Sequence, residues 1–439
     1  MAMKILHVSD IHLGSGLSHG HINPATGLNT RLEDFIAALA TCIDRALSEP
    51  VDLVLFGGDA FPDATPPPLV HEAFASQFRR LADARIPTVL LVGNHDQHAQ
   101  GQGGASLSLY RTLGVPGFIV GDRLATHRIE TRRGSVQVIT LPWLTRSTLL
   151  TRPETSGLSL ADVHQLLLER LRLALEGEIR QLDPALPTVL LAHAMVDTAQ
   201  YGSERYLSAG KGFTIPLSFL ARPCFDYVAL GHVHRHQVLC HDPPVVYPGS
   251  IERVDFGEEG EEKGYVLVNL AKGKTEFQFC PLPTRPFRTI RVDLTEVELD
   301  PQAALLGAIA RGEISGAVVR VMYQLRPDQI PLINLHELQK ALESAHSVSL
   351  LPQLVNSQPI ARLPEVALEQ CLDPSHALQL YLDHHPDLEP LHQDLLAALQ
   401  TLDDHSEEEG QDTPEMPRSP EGRAARSPEP VIQQLKLLS

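Results

Sequence analysis

Five apolar runs in this chain each stop on side chains that ligate metals. KILHVS runs into Asp10-Ile11-His12, and DLVLF into Gly57-Gly58-Asp59. TVLLV runs into Gly93-Asn94-His95-Asp96, TVLL into Ala192-His193-Ala194, and DYVAL into Gly231-His232-Val233-His234. Short β-branched runs of this kind read as buried strands. In open α/β sheets, ligands bind beyond the carboxyl ends of the strands. The fold is therefore expected to bring all five ends to one place. A buried cluster of Asp and His without a counter-charge would be costly, so a cation is expected there.

The residue types suit two divalent ions. A carboxylate such as Asp59 can bridge two metals through its two oxygens. D-x-H and H-x-H spacing on extended chain sends both side chains to the same side. Mixed nitrogen and oxygen ligands fit manganese, iron or zinc better than calcium. Such a pair activates water and clamps a phosphate for in-line displacement.

Between the runs lie amphipathic stretches. Residues 31–48, 70–84 and 160–182 carry apolar side chains at helical spacing. Strand–helix alternation predicts an α/β sheet covered on both faces, and residues 238–294 turn strand-rich. A composition break near 281–286 ends the first domain, expected at 1–285. Residues 286–360 read as a small α/β domain, with helices at 302–310 and 332–345 and strands at 317–325 and 348–355. Residues 361–402 read as helical, and 403–439 as a disordered acidic, Pro-rich tail that cannot bury enough apolar surface to fold.

Net charge is −18, without the basic footprint of a free-standing nucleic-acid binder, so any such contact is expected to be local, metal-assisted or shared with a partner. No apolar run approaches the ~20 residues of a membrane span, and the opening MAMKILHVSD lacks a secretory pattern. Five widely spaced cysteines without a CxxC pair read as reduced, mostly buried thiols of a cytoplasmic protein.

The ordered blocks DxH, GD, GNHD, H and GHxH resemble the calcineurin-like metallophosphoesterase superfamily over residues 3–285. The resemblance implies a two-sheet α/β sandwich flanked by helices. It implies that Asp10, His12, Asp59 and His234 hold one metal, and that Asp59, Asn94, His193 and His232 hold the other, with Asp59 bridging. His95 would stabilise the transition state or protonate the leaving oxygen, and Asp96 would orient His95. Arg31 and Arg253 are candidates for phosphate contact, since Arg suits bidentate oxyanion binding, or else for a structural role.

The segments SDIHLGSG, NTRLEDF and YPGSIERVDFGEEGEEKGYVLV are similar to the SbcD family of DNA-repair nuclease subunits, relatives of the Mre-type nucleases. That likeness implies a manganese-preferring exonuclease on double strands and endonuclease on single strands and hairpins. It implies a capping domain at 286–360, a helical segment at 361–402 that docks an SbcC-like ABC-type ATPase, and a homodimer. Magnesium, iron or zinc are the other metals to consider. One departure stands out: Mre-type relatives carry a His three residues after the bridging Asp, where this chain has Pro62, and Asp63 is the candidate counterpart of a bacterial Asp. The competing functions are a small-molecule or nucleotide phosphodiesterase of the same superfamily and a non-catalytic scaffold.

Overall fold

Successive residues of a strand face opposite ways, and in this chain both ways lead inward. In β1 (Met3–Val8), Met3 and Ile5 enter one core and Leu6 and Val8 another. The computed structural model describes residues 2–97, 104–145, 157–202, 213–297 and 299–355, and a few helical positions between 378 and 399.

After β1 come α1 (Thr30–Ser48), β2 (Leu53–Phe56), α2 (Pro68–Asp83), β3 (Thr88–Leu91), α3 (Ser108–Thr112) and β4 (Phe118–Gly121). Then follow β5 (Ala125–Thr131), β6 (Gly134–Leu141), α4 (Leu160–Ile179), β7 (Thr188–His193), the short pair β8 (Met195–Val196) and β9 (Thr214–Ile215), α5 (Leu217–Leu220) and β10 (Tyr227–Gly231). The strand-rich stretch supplies β11 (Gln237–His241), β12 (Pro244–Tyr247), β13 (Gly264–Ala271) and β14 (Lys274–Pro281). Asn29 caps α1 by accepting from the Arg31 amide, and Ser159 and Asp162 form a capping box on α4.

Two six-stranded sheets result, in the orders β14-β13-β1-β2-β3-β4 and β11-β12-β10-β7-β6-β5. The central strands run parallel, and antiparallel hairpins edge both sheets. The alternation predicts a single sheet with helices on both faces. Here each sheet instead has helices on one face and the other sheet on its second. Leu53, Leu55, Val89 and Leu91 meet Val189, Leu191, Tyr227 and Ala229 between the sheets. Phe56, Phe74, Phe78, Phe35 and Leu39 fill the layer under α1 and α2, while Leu190, Leu230, Leu167 and Leu171 fill the layer under α4.

A third sheet, β15-β16-β17, is parallel and has its own core. It comprises β15 (Phe287–Asp293), α6 (Pro301–Arg311), β16 (Val318–Leu325), α7 (Leu335–Ala341) and β17 (Ser347–Leu354). The last helix starts later than its periodicity predicts, because Asn334 caps it: the Asn334 side chain accepts from the His336 and Glu337 amides. Arg285 ties this layer to the rest: it grips both carboxylate oxygens of Asp34 at 2.6 and 2.7 Å and donates to the Gly316 carbonyl at 3.0 Å.

The described residues up to Val355 form one compact unit. Most of the expected helical segment at 361–402, and all of the expected tail at 403–439, lies outside the described residues. Of the four described cysteines, all are free, but Cys42 alone is fully buried; Cys224, Cys240 and Cys280 sit at the margins of the cores. Among the described residues no helix is long and apolar enough to cross a membrane.

One polar group breaks the apolar seam between the sheets. His7 of β1 is wholly buried, with Nδ1 3.0 Å from the Tyr227 hydroxyl and Nε2 3.1 Å from the Leu230 carbonyl of the opposite sheet. The carbonyl can only accept, so Nε2 carries the proton and Nδ1 accepts from Tyr227. Burial drives the His7 pKa down to about 3. The folded state thus refuses a proton that the unfolded chain takes up near its ordinary value, and stability is lost as pH falls below that value. Between pH 7.5 and pH 5 this group is expected to cost about 2 kcal/mol. Urea unfolding of wild type and His7→Gln at both pH values measures it: the variant is less stable at pH 7.5 but loses less on acidification. An equal pH-dependence in both proteins would refute the role.

Candidate metal centre

The chain after each of the strands β1, β2, β3, β7 and β10 bends toward the seam between the two sheets. Asp10 and His12 follow β1, Asp59 follows β2, Asn94 to Asp96 follow β3, His193 ends β7, and His232 and His234 follow β10. The turns are held together by backbone hydrogen bonds: the Asp10 amide donates to the Gly58 carbonyl at 3.0 Å, and the His12 amide to the Asp59 carbonyl at 3.1 Å. The approach is too close for side chains at the glycines. A Cβ at Gly93 would collide with the Asp59 carboxylate, and Gly58 has φ +99° with the His193 ring 2.5 Å from where its Cβ would stand.

Two buried groups of ligand atoms result. Asp10, His12 and His234 form one, and Asp59, His193 and His232 the other, with the atoms of each within 4.8 Å of one another. Asn94 joins the second, its Oδ1 lying 2.9 Å from both His193 Nε2 and His232 Nδ1. Asp59 stands between the groups, with Oδ2 3.3 Å from His193 Nε2 and 3.6 Å from His12 Nε2. The sequence-predicted ligands Asp10, His12, Asp59, Asn94, His193, His232 and His234 are thus all brought together.

The donor set fits cations. Gly57's carbonyl lies 2.7 Å from His193 Nδ1 and Glu258 Oε1 lies 2.6 Å from His234 Nδ1. Both partners only accept, so Nδ1 carries the hydrogen in each ring and the neutral ring offers its lone pair at Nε2. His234 Nε2 faces His12 Nε2 at 3.0 Å, and His193 Nε2 faces the oxygens of Asp59 and Asn94. Lone pairs converge on both spots, and positive charge relieves them.

The acid–base balance says the same. Burial opposes charge on His193, yet the Asp59 carboxylate lifts its pKa to about 9, so the pocket draws a proton where it would draw a metal. Burial opposes charge on Asp59 too, but His193 and its neighbouring rings hold that carboxyl well below the usual range. Burial pushes His12 and His232 well down, with His234 and His193 respectively adding to the effect. It pushes Asp10 up.

Four residues of these groups hold strained backbone. Asp10, His12, Asp59 and His232 have φ of +52°, +46°, +58° and +104°. Among the described non-glycine residues, Arg85 is the other with positive φ. Such conformations cost of order 1–3 kcal/mol each and persist where the surroundings over-determine them.

Asp96 departs from its expected role. It does not touch the His95 ring. Its carboxylate accepts from the Asp59, Ala60 and Gly93 amides at 2.9, 3.0 and 2.9 Å and from the Ser106 hydroxyl at 3.3 Å. It therefore shapes the turn that carries Asp59. Burial and the Asp59 charge raise its pKa to about 6. His95 is held instead by the Pro62 carbonyl, 2.7 Å from Nδ1, while its amide donates to Asp59 Oδ1 at 2.9 Å. Pro62, the departure in the sequence, thus positions His95 through its main chain. Asp63 lies on the surface and closes a turn on Thr65.

Of the two roles expected of Arg31 and Arg253, the structure shows the structural one. Arg31 is fully buried, bonded to Asp34 at 2.7 Å and the Arg253 carbonyl at 2.7 Å, with its guanidinium against the Phe35 and Phe287 rings. Arg253 donates to the Glu258, Glu261 and Arg285 carbonyls and to the Thr284 hydroxyl. The Arg253 donors are taken up by the fold, and Arg31 is fully buried although its Nε has no hydrogen-bond partner, so neither is presented to a phosphate.

Two residues of the site are not among those expected from the sequence. Glu258 lies in the stretch 247–268, to which no metal-site role is assigned. Trp143, the chain's sole tryptophan, is buried with its ring 4.7 Å from that of His232. A lone Trp after a strand gives no signal of this in the sequence.

Comparison with known proteins agrees with this geometry. Residues 3–236, more than half of the chain, match the family described as calcineurin-like phosphoesterase. The chain belongs to that family. It is a metal-dependent phosphoesterase with two buried His/Asp groups suited to a dimetal site. Similar solved structures include TT1561 of Thermus thermophilus, at 16% identity over 64% of this chain and 99% of that one, with a TM-score of 0.36. A dimetal phosphatase from Danio rerio matches at 9% identity over 63% and 95%, with a TM-score of 0.38. A purple acid phosphatase from yellow lupin (Lupinus luteus) seeds matches at 13% identity over 64% and 52%, with a TM-score of 0.37. The family assignment rests on the family match.

Two outcomes follow from the geometry. Manganese binding is expected to quench the fluorescence of Trp143, and a chelator to restore it; a signal indifferent to manganese would count against a cation beside His232. Asp96→Ala strips acceptors from three buried amides and is expected to cost about 2–4 kcal/mol. Urea unfolding of the metal-free protein measures that cost, and an unmoved midpoint would reject the turn-shaping role.

Proposed function

We propose that this phosphoesterase is the nuclease subunit of an SbcC–SbcD-like complex. In this reading it hydrolyses DNA phosphodiester bonds in break repair, as a double-strand exonuclease and a single-strand or hairpin endonuclease. The observation that carries the reading is the stretch from 247 to 268, whose sequence is similar to that family. It reaches from the metal centre to the small α/β layer. Glu258 meets His234, Phe256 lies under the Arg320 guanidinium of β16 at 4.3 Å, and Glu259 accepts from the Thr289 amide of β15 at 3.0 Å.

In this reading Asp10, His12, Asp59 and His234 hold one cation and Asp59, Asn94, His193 and His232 the other. Manganese is the favoured ion, with magnesium, iron and zinc as alternatives. A cation pair supplies a nucleophile from water at neutral pH and charge for the phosphoryl oxygens. His95 is the catalytic residue of the chain itself: the Pro62 carbonyl accepts Nδ1–H, so Nε2 is the nitrogen turned to the substrate, and the imidazolium form would pass its Nε2 proton to the departing sugar oxygen and keep Nδ1–H. Contacts to the DNA backbone make base sequence matter little. The charge of −18 fits a subunit that leaves much of the DNA contact to an SbcC-like ATPase, docked through the 361–402 segment. A homodimer and a cytoplasmic location complete the reading.

The test offers the manganese-loaded protein a hairpin duplex, bis-p-nitrophenyl phosphate and a panel of nucleotide mono- and diesters. Hairpin cleavage that a chelator abolishes is expected. His95→Ala is expected to lower kcat by about 10²–10⁴-fold with metal content unchanged. Turnover of a nucleotide ester while the hairpin survives would establish the small-molecule reading instead. Inactivity on every substrate, with metal bound and an SbcC-like ATPase added, would favour the scaffold.

A further inference from the structure

The two metal groups are supported differently. In one, His193 Nδ1 is met by the neutral Gly57 carbonyl. In the other, His234 Nδ1 is met by a carboxylate. Glu258 and Lys263 are 3% and 1% exposed, respectively. Glu258 Oε1 lies 2.6 Å from His234 Nδ1, and Oε2 lies 2.8 Å from Lys263 Nζ and accepts from the Val254 amide at 3.0 Å. Lys263 Nζ also donates to the His234 carbonyl at 3.1 Å and to Glu261 at 2.8 Å. One buried ion pair thus grips both the ring and the main chain of His234.

We propose that Glu258, steadied by Lys263, is a positioning residue that sets the cation affinity of the Asp10–His12–His234 pocket and of that pocket alone. The inference rests on the reading that His234 is a ligand. A carboxylate that accepts Nδ1–H fixes the tautomer and the ring plane and makes Nε2 a stronger base than a neutral carbonyl does. A buried ion pair is weak support for stability, because an apolar pair of similar volume packs as well at less desolvation cost. Its placement on a ligand gives the pair a role that packing does not.

The full-length protein, stripped of metal and titrated with manganese by calorimetry, is expected to take two equivalents. In Glu258→Gln one equivalent weakens by about 10–100-fold while the other keeps its affinity. Trp143, which lies on His232 of the unaffected pocket, is expected to respond at the wild-type manganese concentration. In metal-free protein, nitrogen-15 correlations of the His234 ring are expected to lose the pure Nδ1–H pattern. Glu252→Gln is the control, since that buried carboxylate meets Arg31 and the Arg253 and Arg285 amides rather than a metal-group ring; both affinities stay as in wild type. Should the glutamine variant fail to fold, Glu258→Asp keeps the charge but withdraws it from Nδ1, and the same selective loss is expected. Two wild-type affinities in either folded variant overturn the inference, as does an equal loss of both equivalents. A wild-type protein that binds no manganese overturns instead the reading of His234 as a ligand.

Discussion

Buried carboxylates and imidazoles that face one another set the terms for the rest of this structure. Asp10, Asp59, His12, His193, His232 and His234 are all at most 6% exposed. Their lone pairs point inward because other acceptors occupy the outward nitrogens of His193 and His234. Such a cluster holds together only around positive charge. The lifted pKa of His193 and the depressed pKa of Asp59 are two faces of that demand.

Holding the cluster requires backbone that most residues avoid. The strain at Asp10, His12, Asp59 and His232 is sustained by hydrogen bonds from both sheets. Asp96 gathers the amides around Asp59, and the Asp10 carboxylate accepts the His232 amide at 3.0 Å from across the seam. His7 and Tyr227 bridge the same seam. The two sheets are thus locked by polar contacts near the site and by apolar contacts away from it. Rigid strands carrying short, strained turns hold ligands within the tolerance a metal centre needs.

A second chain of ionic contacts runs outward. Arg285 grips Asp34, Asp34 pairs with Arg31, and Arg31 reaches the Arg253 carbonyl and Glu252. Arg253 donates to the Glu258 carbonyl. The small α/β layer and the loop that supports His234 therefore share one network, centred on the buried Arg31. Arg31 and Arg253 look like phosphate ligands by type, but they are the struts of that network.

The amino-acid sequence alone determined the strands that end at the metal centre, the principal helices and the side chains that gather there. Apolar runs that end in Asp, His or Asn are a local signal, as is the 3.6-residue period of α1, α2 and α4. It could not tell one sheet from two, because a strand buried on both faces reads the same whether a helix or a second sheet covers it. The resemblance implies that Asp96 orients His95, whereas in the fold Asp96 turns to the amides of Asp59 and Ala60 in a different loop. Pro62 and Glu258 were illegible for a related reason. One acts through its carbonyl, which every residue has, and the other sits in an acidic run whose burial depends on Lys263 folding back upon it. Contacts between residues far apart in sequence carry no pattern along the chain, so the tertiary structure alone decided them.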